Sequence, residues 1–251
     1  MTDTSWLSRT ELLIGKPKLD KLQQSHVLVV GMGGVGSFAA EFICRAGVGE
    51  MTIVDGDVID PSNRNRQLPA LSTTHGLSKA DVMGERLLAI NPDLKLTIKH
   101  EFITPDTADE LLNQHYDYVV DAIDSMTPKI TLIRAAKARN MKIISSMGAG
   151  GKLDPTHLKV VDISKTYNCP FAQFIRTRLR KHGISRGVKV VFSPEVVSKD
   201  SLMFTDGSNY KKSAYGTISY LPAAFGGVCA SVVIRNLIHD PAHSTHHKHH
   251  G

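Results

Sequence analysis

Cysteine is scarce in this 251-residue chain. Cys44, Cys169 and Cys229 lie far apart, with no CxxC pair among them. That spacing excludes a disulfide framework and a four-thiolate zinc site. The sequence also lacks a run of about 18 uncharged apolar residues, so neither a spanning helix nor a membrane partner is expected. Its opening residues (Met-Thr-Asp-Thr-Ser) show no basic stretch followed by an apolar one, so a secretory leader is not expected and a cytoplasmic setting is. No internal repeat is evident. What is present is ordinary globular usage, with 41% hydrophobic and 22% charged residues, which argues against disorder as the main state. The length suits one large α/β domain with an appended smaller part.

The formal net charge is +6, which permits a phosphate or nucleic-acid partner without establishing one. The excess is not evenly spread. Lys165–Lys212 holds ten Lys or Arg against three Asp or Glu, leaving the rest of the chain near neutrality.

From His26 onward, short apolar runs alternate with helical patterns. Strands are expected at His26–Val30, Glu50–Val54, Lys95–His100, Tyr118–Asp121 and Lys142–Ser146. Helices are expected at Ser37–Ala46, Ser78–Ile90, Pro105–His115 and Pro128–Asn140. This alternation predicts an α/β fold, a Rossmann-like doubly wound and mostly parallel sheet with a smaller C-terminal β/α extension. The organisation reads as a helical lead-in over 1–25, a nucleotide-binding core over 26–151, an extension over 152–238 and a disordered His-rich tail over 239–251. Within the extension, strands are expected at His157–Asp162 and Gly187–Phe192, with a basic helix Phe171–His182 between them. Ser193–Ser213 reads as polar and irregular, and Pro222–Ile238 as an apolar helix packing under the sheet. The tail carries six of the twelve histidines, a composition that could bind metal weakly.

Gly31-Met-Gly33-Gly34-Val-Gly36-Ser37 joins the first strand to the first helix. Glycines there permit a tight turn and let backbone amides approach an anion at a helix N-terminus. Asp55 ends the second strand, where a carboxylate can take ribose hydroxyls. This much suits either a dinucleotide or ATP. Val54-Asp-Gly-Asp-Val-Ile-Asp-Pro-Ser-Asn-Arg-Asn-Arg-Gln67 then brings Asp55, Asp57, Asn65, Arg66 and Gln67 towards one sheet edge. Lys79 and the Asp121-Ala-Ile-Asp124 turn follow. Arginine and lysine there suit a triphosphate better than a nicotinamide, because they neutralise phosphate charge during nucleotidyl transfer. A carboxylate can hold Mg²⁺.

GMGGVGS, VDGDVIDPSNRNRQ, GLSK and DAID together resemble the ATP-binding core of the ubiquitin-activating-type (ThiF-like) adenylyltransferases. INPDLKLTIKHEFITPD, YDYVVDAIDSMTPK, GAGGKLDPT and VFSPE resemble the tRNA threonylcarbamoyladenosine dehydratase branch, over roughly residues 6–238. The resemblance implies that ATP adenylates a carboxylate, here that of the threonylcarbamoyl group on a tRNA adenosine, before an internal nucleophile closes a ring. The alternative is activation of the C-terminus of a ubiquitin-like or sulfur-carrier protein; a nicotinamide oxidoreductase or a non-catalytic nucleotide-binding module is a third class. Carried onto this chain, the resemblance implies that Gly31, Gly33, Gly34 and Gly36 cradle the nucleotide. Asp55 then binds ribose, while Asn65, Arg66 and Lys79 contact phosphates. Asp57, Gln67 and Asp121 join the nucleotide set, and Asp124 holds Mg²⁺. It also implies a homodimer, with Arg9 reaching a partner's site; where the family often has a further arginine, this chain has Trp6. Sulfur-transfer accessory proteins are further expected partners. Cys169, in Tyr-Asn-Cys-Pro, falls where some activators carry a reactive thiol. Arg176, Arg178, Arg180 and Lys181 are candidate tRNA phosphate contacts.

Overall fold

The computed structural model describes residues 5–197, 199–204 and 213–238. After a short 3-10 turn at Ser5–Leu7, two helices, α1 (Ser8–Ile14) and α2 (Lys16–Gln23), lead into the sheet. Seven strands follow: β1 (His26–Val30), β2 (Glu50–Val54), β3 (Lys95–Lys99), β4 (Tyr118–Asp121), β5 (Ile143–Ser146), β6 (Lys159–Asp162) and β7 (Lys189–Phe192). Their spatial order is β3-β2-β1-β4-β5-β7-β6, all parallel except β6, which pairs antiparallel with β7 at the edge. The order reverses between β1 and β4. That switch point opens a crevice at the carboxyl ends of the strands, the usual ligand position in such sheets.

Helices α3 (Gly36–Arg45), α4 (Lys79–Ile90), α5 (Pro105–Leu111), α6 (Met126–Ala138) and α7 (Pro170–Lys181) connect the strands, and α8 (Tyr220–Leu237) closes the described chain. Successive strand residues point to opposite faces. Val27 and Val29 therefore enter the core under α3, α4 and α8, while Leu28 and Val30 enter the core under α5, α6 and α7. The strands consequently read as continuous apolar runs, as buried parallel strands should.

One expectation needs revision. The segment expected to be irregular contains a two-stranded antiparallel ribbon, β8 (Leu202–Phe204) with β9 (Ser213–Tyr215). Helix α8 packs against the sheet as expected, beside α3, burying Leu221, Phe225, Cys229 and Val233. By length and hydropathy α8 would qualify as a membrane span, but half of it is buried within the fold. The C-terminal β/α extension adds β7 and β6 to the same sheet. The His-rich tail lies outside the described residues.

Candidate active site

The glycine turn after β1 is shaped by backbone crowding. Gly31 has φ +94°, and a Cβ there would sit 2.9 Å from the Ala122 carbonyl oxygen on the β4 side of the crevice. A Cβ on Gly36 would lie 1.7 Å from the Gly31 oxygen, and one on Gly34 would lie 3.0 Å from Pro222 at the start of α8. These three glycines are required by packing. Gly33 is different: an added Cβ there would meet only the Gln67 side chain, at 3.8 Å. No side chain caps α3, so its first amides and the positive end of its dipole face the crevice.

Asp55, just past β2, ties the two loops together. Its Oδ2 accepts the Met32 amide at 2.6 Å and its Oδ1 accepts the Asp57 amide at 2.8 Å. Burial holds its carboxyl above the usual carboxylate range, against the pull of nearby Lys79. Asp57 in turn anchors Lys79, the first residue of α4: Nζ donates to Asp57 Oδ2 at 3.0 Å, and the Lys79 amide donates to the Asp57 carbonyl. Ser78 caps this helix by accepting the Asp81 amide. Lys79 is thereby held nearly buried, with its ammonium beside the crevice.

Arg66 is half-buried. Its Nη1 donates to the Ser62 carbonyl at 2.9 Å and to Asn65 Oδ1 at 2.8 Å, and Asn65 Nδ2 donates to the Thr217 carbonyl. Asn65 therefore holds Arg66 and ties it to the segment leading from β9 to α8. Burial lowers the Arg66 pKa, with Asp124 pulling it back up. The guanidinium on one side of the crevice and the exposed Asp124 on the other thus share one field. Gln67 Oε1 is buried with no hydrogen-bond partner among the described residues, and the Gln67 side chain approaches Gly33 through Nε2. An orphaned acceptor costs about 1–3 kcal/mol unless something donates to it.

Two of the expected site residues are engaged within the fold instead. Asp121 is fully buried inside the sheet and faces no ligand: Oδ2 accepts Lys129 Nζ at 2.7 Å and Ser145 Oγ at 2.6 Å, and Oδ1 accepts the Ile123 amide. It shapes the turn that presents Asp124. Lys129 escaped the sequence reading although it falls on the buried stripe of α6 with Leu132, Ile133 and Ala136, and that spacing was the available signal. Arg176, expected on RNA, instead donates through Nη1 to the Thr166 carbonyl at 2.8 Å and to its hydroxyl, fastening α7 to the preceding turn. Arg178 stacks over Phe174 at 5.1 Å, while Arg180 and Lys181 are exposed. All sit towards the end of α7 that leads into β7, at the amino edge of the sheet and away from the crevice.

Cys169 is buried immediately before α7, 3.5 Å from Lys152 Nζ, which also donates to the Gly148 and Ser193 carbonyls. Cys44 and Cys229 are core residues, and burial pushes each thiol up to about 12. Arg9 is exposed on α1, just after Leu7, which packs beside Gly47 at the opposite edge from the crevice.

The ThiF family matches residues 7–250. The chain belongs to the ThiF family. Within that family it is 40% identical over 240 residues to the tRNA threonylcarbamoyladenosine dehydratase of Bacillus subtilis, covering 93% of this chain and 94% of that one. The Escherichia coli dehydratase of the same name is 36% identical, covering 93% and 95%. The crystal structure of the E. coli enzyme TcdA in complex with ATP superimposes with a TM-score of 0.86 at 35% identity, covering 98% of this chain and 100% of that one.

Proposed function

We propose that this protein is an ATP-dependent dehydratase that adenylates the carboxylate of threonylcarbamoyladenosine in tRNA and promotes its cyclisation. The observation that carries the reading is the end-to-end similarity to dehydratases of that name, together with a crevice whose cationic and amide groups converge where a triphosphate would lie. The chemistry balances without a protein thiol. A carboxylate oxygen attacks the α-phosphorus of ATP and pyrophosphate leaves; an internal nucleophile then attacks the activated carbonyl and AMP leaves. The net change in the nucleoside is loss of one water. Holding both groups in one crevice makes ring closure effectively unimolecular.

The crevice residues divide this work. The amides of the glycine turn and the start of α3 receive phosphate oxygens, with Gly33 allowing close approach and Asp55 receiving ribose. Arg66 and Lys79 neutralise charge that grows as pyrophosphate departs, and Asn65 fixes Arg66. Gln67 offers its buried oxygen to the nucleotide. Asp124 is the residue for Mg²⁺: an oxygen donor beside the phosphate cations suits an ion usually held by one or two carboxylates plus substrate phosphates. That ion would supply further charge neutralisation. The reading includes a cytoplasmic setting, which suits three unpaired thiols, and a homodimer, since only a second copy could bring Arg9 to a crevice. Sulfur-transfer accessory proteins remain partners of this reading, with no surface assigned to them.

The test is conversion of threonylcarbamoyladenosine-bearing tRNA with and without ATP, followed by nucleoside mass analysis. Loss of one water only with ATP is expected; no loss refutes the reading. Pyrophosphate exchange that depends on a small protein ending in glycines would favour the carrier-activating alternative instead. Size measurement of the purified protein tests the dimer, and a fully active monomer would overturn the Arg9 role.

A further inference from the structure

A second charged feature lies away from the crevice. Between α5, α6 and the end of α7 runs an open groove of about 570 Å³. Arg134, Lys137 and Arg139 enter it from α6 and the turn after it, and His182 enters from the turn after α7. Those turns lead into β5 and β7, so this end of the groove lies at the amino edge of the sheet. Arg180 and Lys181, both exposed, continue the positive surface along the rim. The α5 wall contributes Asp109, which Arg139 Nη2 engages at 2.8 Å. Arg134 is exposed and has no carboxylate within salt-bridge distance among the described residues.

The groove and the crevice share α6. Asp124 stands just before this helix; Arg134, Lys137 and Arg139 follow along it. At 1.5 Å per residue, these cations lie about 12–20 Å from the start of the helix. A nucleic-acid strand presents about four to six phosphates over such a distance.

We infer that this groove and its α7 rim bind the phosphodiester backbone of the RNA substrate along the side of the domain, about 12–20 Å from the crevice that takes the modified adenosine. The inference rests on the dehydratase reading; of the expected α7 set it keeps Arg180 and Lys181 and drops Arg176, and it adds Arg134, Lys137 and Arg139. Contacts of this kind position without reading sequence. The groove presents guanidinium, ammonium and imidazole donors, and no Phe, Tyr or Trp is among its lining residues.

The test compares the full-length protein with a triple variant, Arg134→Gln, Lys137→Gln and Arg180→Gln. Binding of the threonylcarbamoyladenosine-bearing tRNA is followed across a salt titration, with turnover and ATP affinity measured in parallel. Neutralising each phosphate-binding cation should flatten the log–log salt slope by about 0.7–0.9 and weaken binding about fivefold near physiological salt, so the triple variant should bind about a hundredfold more weakly. Its KM for tRNA should rise in step, with ATP affinity and turnover at saturating tRNA retained. Lys16→Gln with Lys21→Gln, on α2, should change neither slope nor KM. Should the triple variant fail to fold, Arg134→Gln and Arg180→Gln alone, both exposed, should each flatten the slope by the same single-cation increment. If the wild type dehydrates tRNA and the groove variants keep its KM and salt slope, the groove inference falls and the dehydratase reading stands. If the wild type does not dehydrate tRNA, both fall.

Discussion

Replacing Lys129 with methionine isolates what Asp121 does. Both side chains are 0% exposed, their charged atoms are 2.7 Å apart, and Ser145 completes the cluster. Methionine fills similar space but leaves the Asp121 carboxylate buried with one hydroxyl and one amide for company. Removing one partner of a buried ion pair costs about 3–5 kcal/mol. For a domain of this length each kcal/mol moves Tm by about 2–4 °C, so a fall of about 6–20 °C is expected. Urea unfolding should show a lower midpoint with an unchanged m-value. The double variant Asp121→Asn with Lys129→Met removes both charges together and should cost much less than the sum of the single changes. At temperatures where it is folded, Asp121→Asn should keep most of its ATP affinity, because asparagine can still accept the Ile123 amide. Two results would refute the reasoning: a Lys129→Met cost below about 1 kcal/mol, or an Asp121→Asn protein that is fully stable yet loses nucleotide binding outright. The second would return Asp121 to the ligand.

The other predictions concern the crevice itself. Arg66→Ala and Lys79→Ala should each slow adenylation by about two to three powers of ten, measured by pyrophosphate release; unchanged turnover in either removes its role in charge stabilisation. Gly36→Ala should prevent folding, since its Cβ would lie 1.7 Å from the Gly31 oxygen, whereas Gly33→Ala should fold normally by circular dichroism and bind ATP more weakly. Equal behaviour of the two would contradict the division between packing and ligand glycines. Burial raises the Asp55 pKa, so the native state holds this proton at pH values where the unfolded chain has released it. Its contribution to stability therefore falls as pH rises through that window and is constant above it. Nucleotide affinity runs the other way: protonation removes the ribose acceptor, so calorimetric ATP affinity should weaken on acidification with a midpoint above the ordinary aspartate value. Asp55→Asn should flatten that profile, and a wild-type profile already flat would exclude the role.

The sheet was legible because its strands announce themselves. His26–Val30, Glu50–Val54 and Tyr118–Asp121 are short apolar runs stopped by glycine or by Asp-containing turns, and each forms over the expected residues. The helices are displaced by one or two residues at most ends, the normal uncertainty of caps, although α5 stops at Leu111, four residues before the expected His115. The β8–β9 ribbon was not legible. Its strands are three residues each, too short for alternation to register, and they exist because residues around them dock: the Gly151 amide on the Gly216 carbonyl, and the Gly216 amide on the Ser201 carbonyl. Those are long-range bonds that no local pattern encodes.

The misplaced residues have one physical cause. A motif records which charged residue stands at a position, while its role depends on what faces it. Asp121 and Asp124 are three residues apart in one turn, yet strand geometry sends Asp121 inward against Lys129 and leaves Asp124 exposed beside Arg66. Arg176 and Arg180 share a helical face by spacing, yet Thr166 takes the first and solvent the second. The same applies to the glycines: four occupy one motif, three of them are fixed by backbone or proline contacts, and only Gly33 has room that a ligand can use. The crevice is therefore narrower in its true membership than the motif that locates it. On the proposed reading, the set that bears on the nucleotide is Gly33, Asp55, Arg66, Gln67, Lys79 and Asp124, with Asn65, Asp57 and Asp121 holding those groups in place. A variant series should separate the two classes, because the first should change nucleotide binding or turnover beyond what any stability loss explains, and the second should act only through stability or through the group it positions.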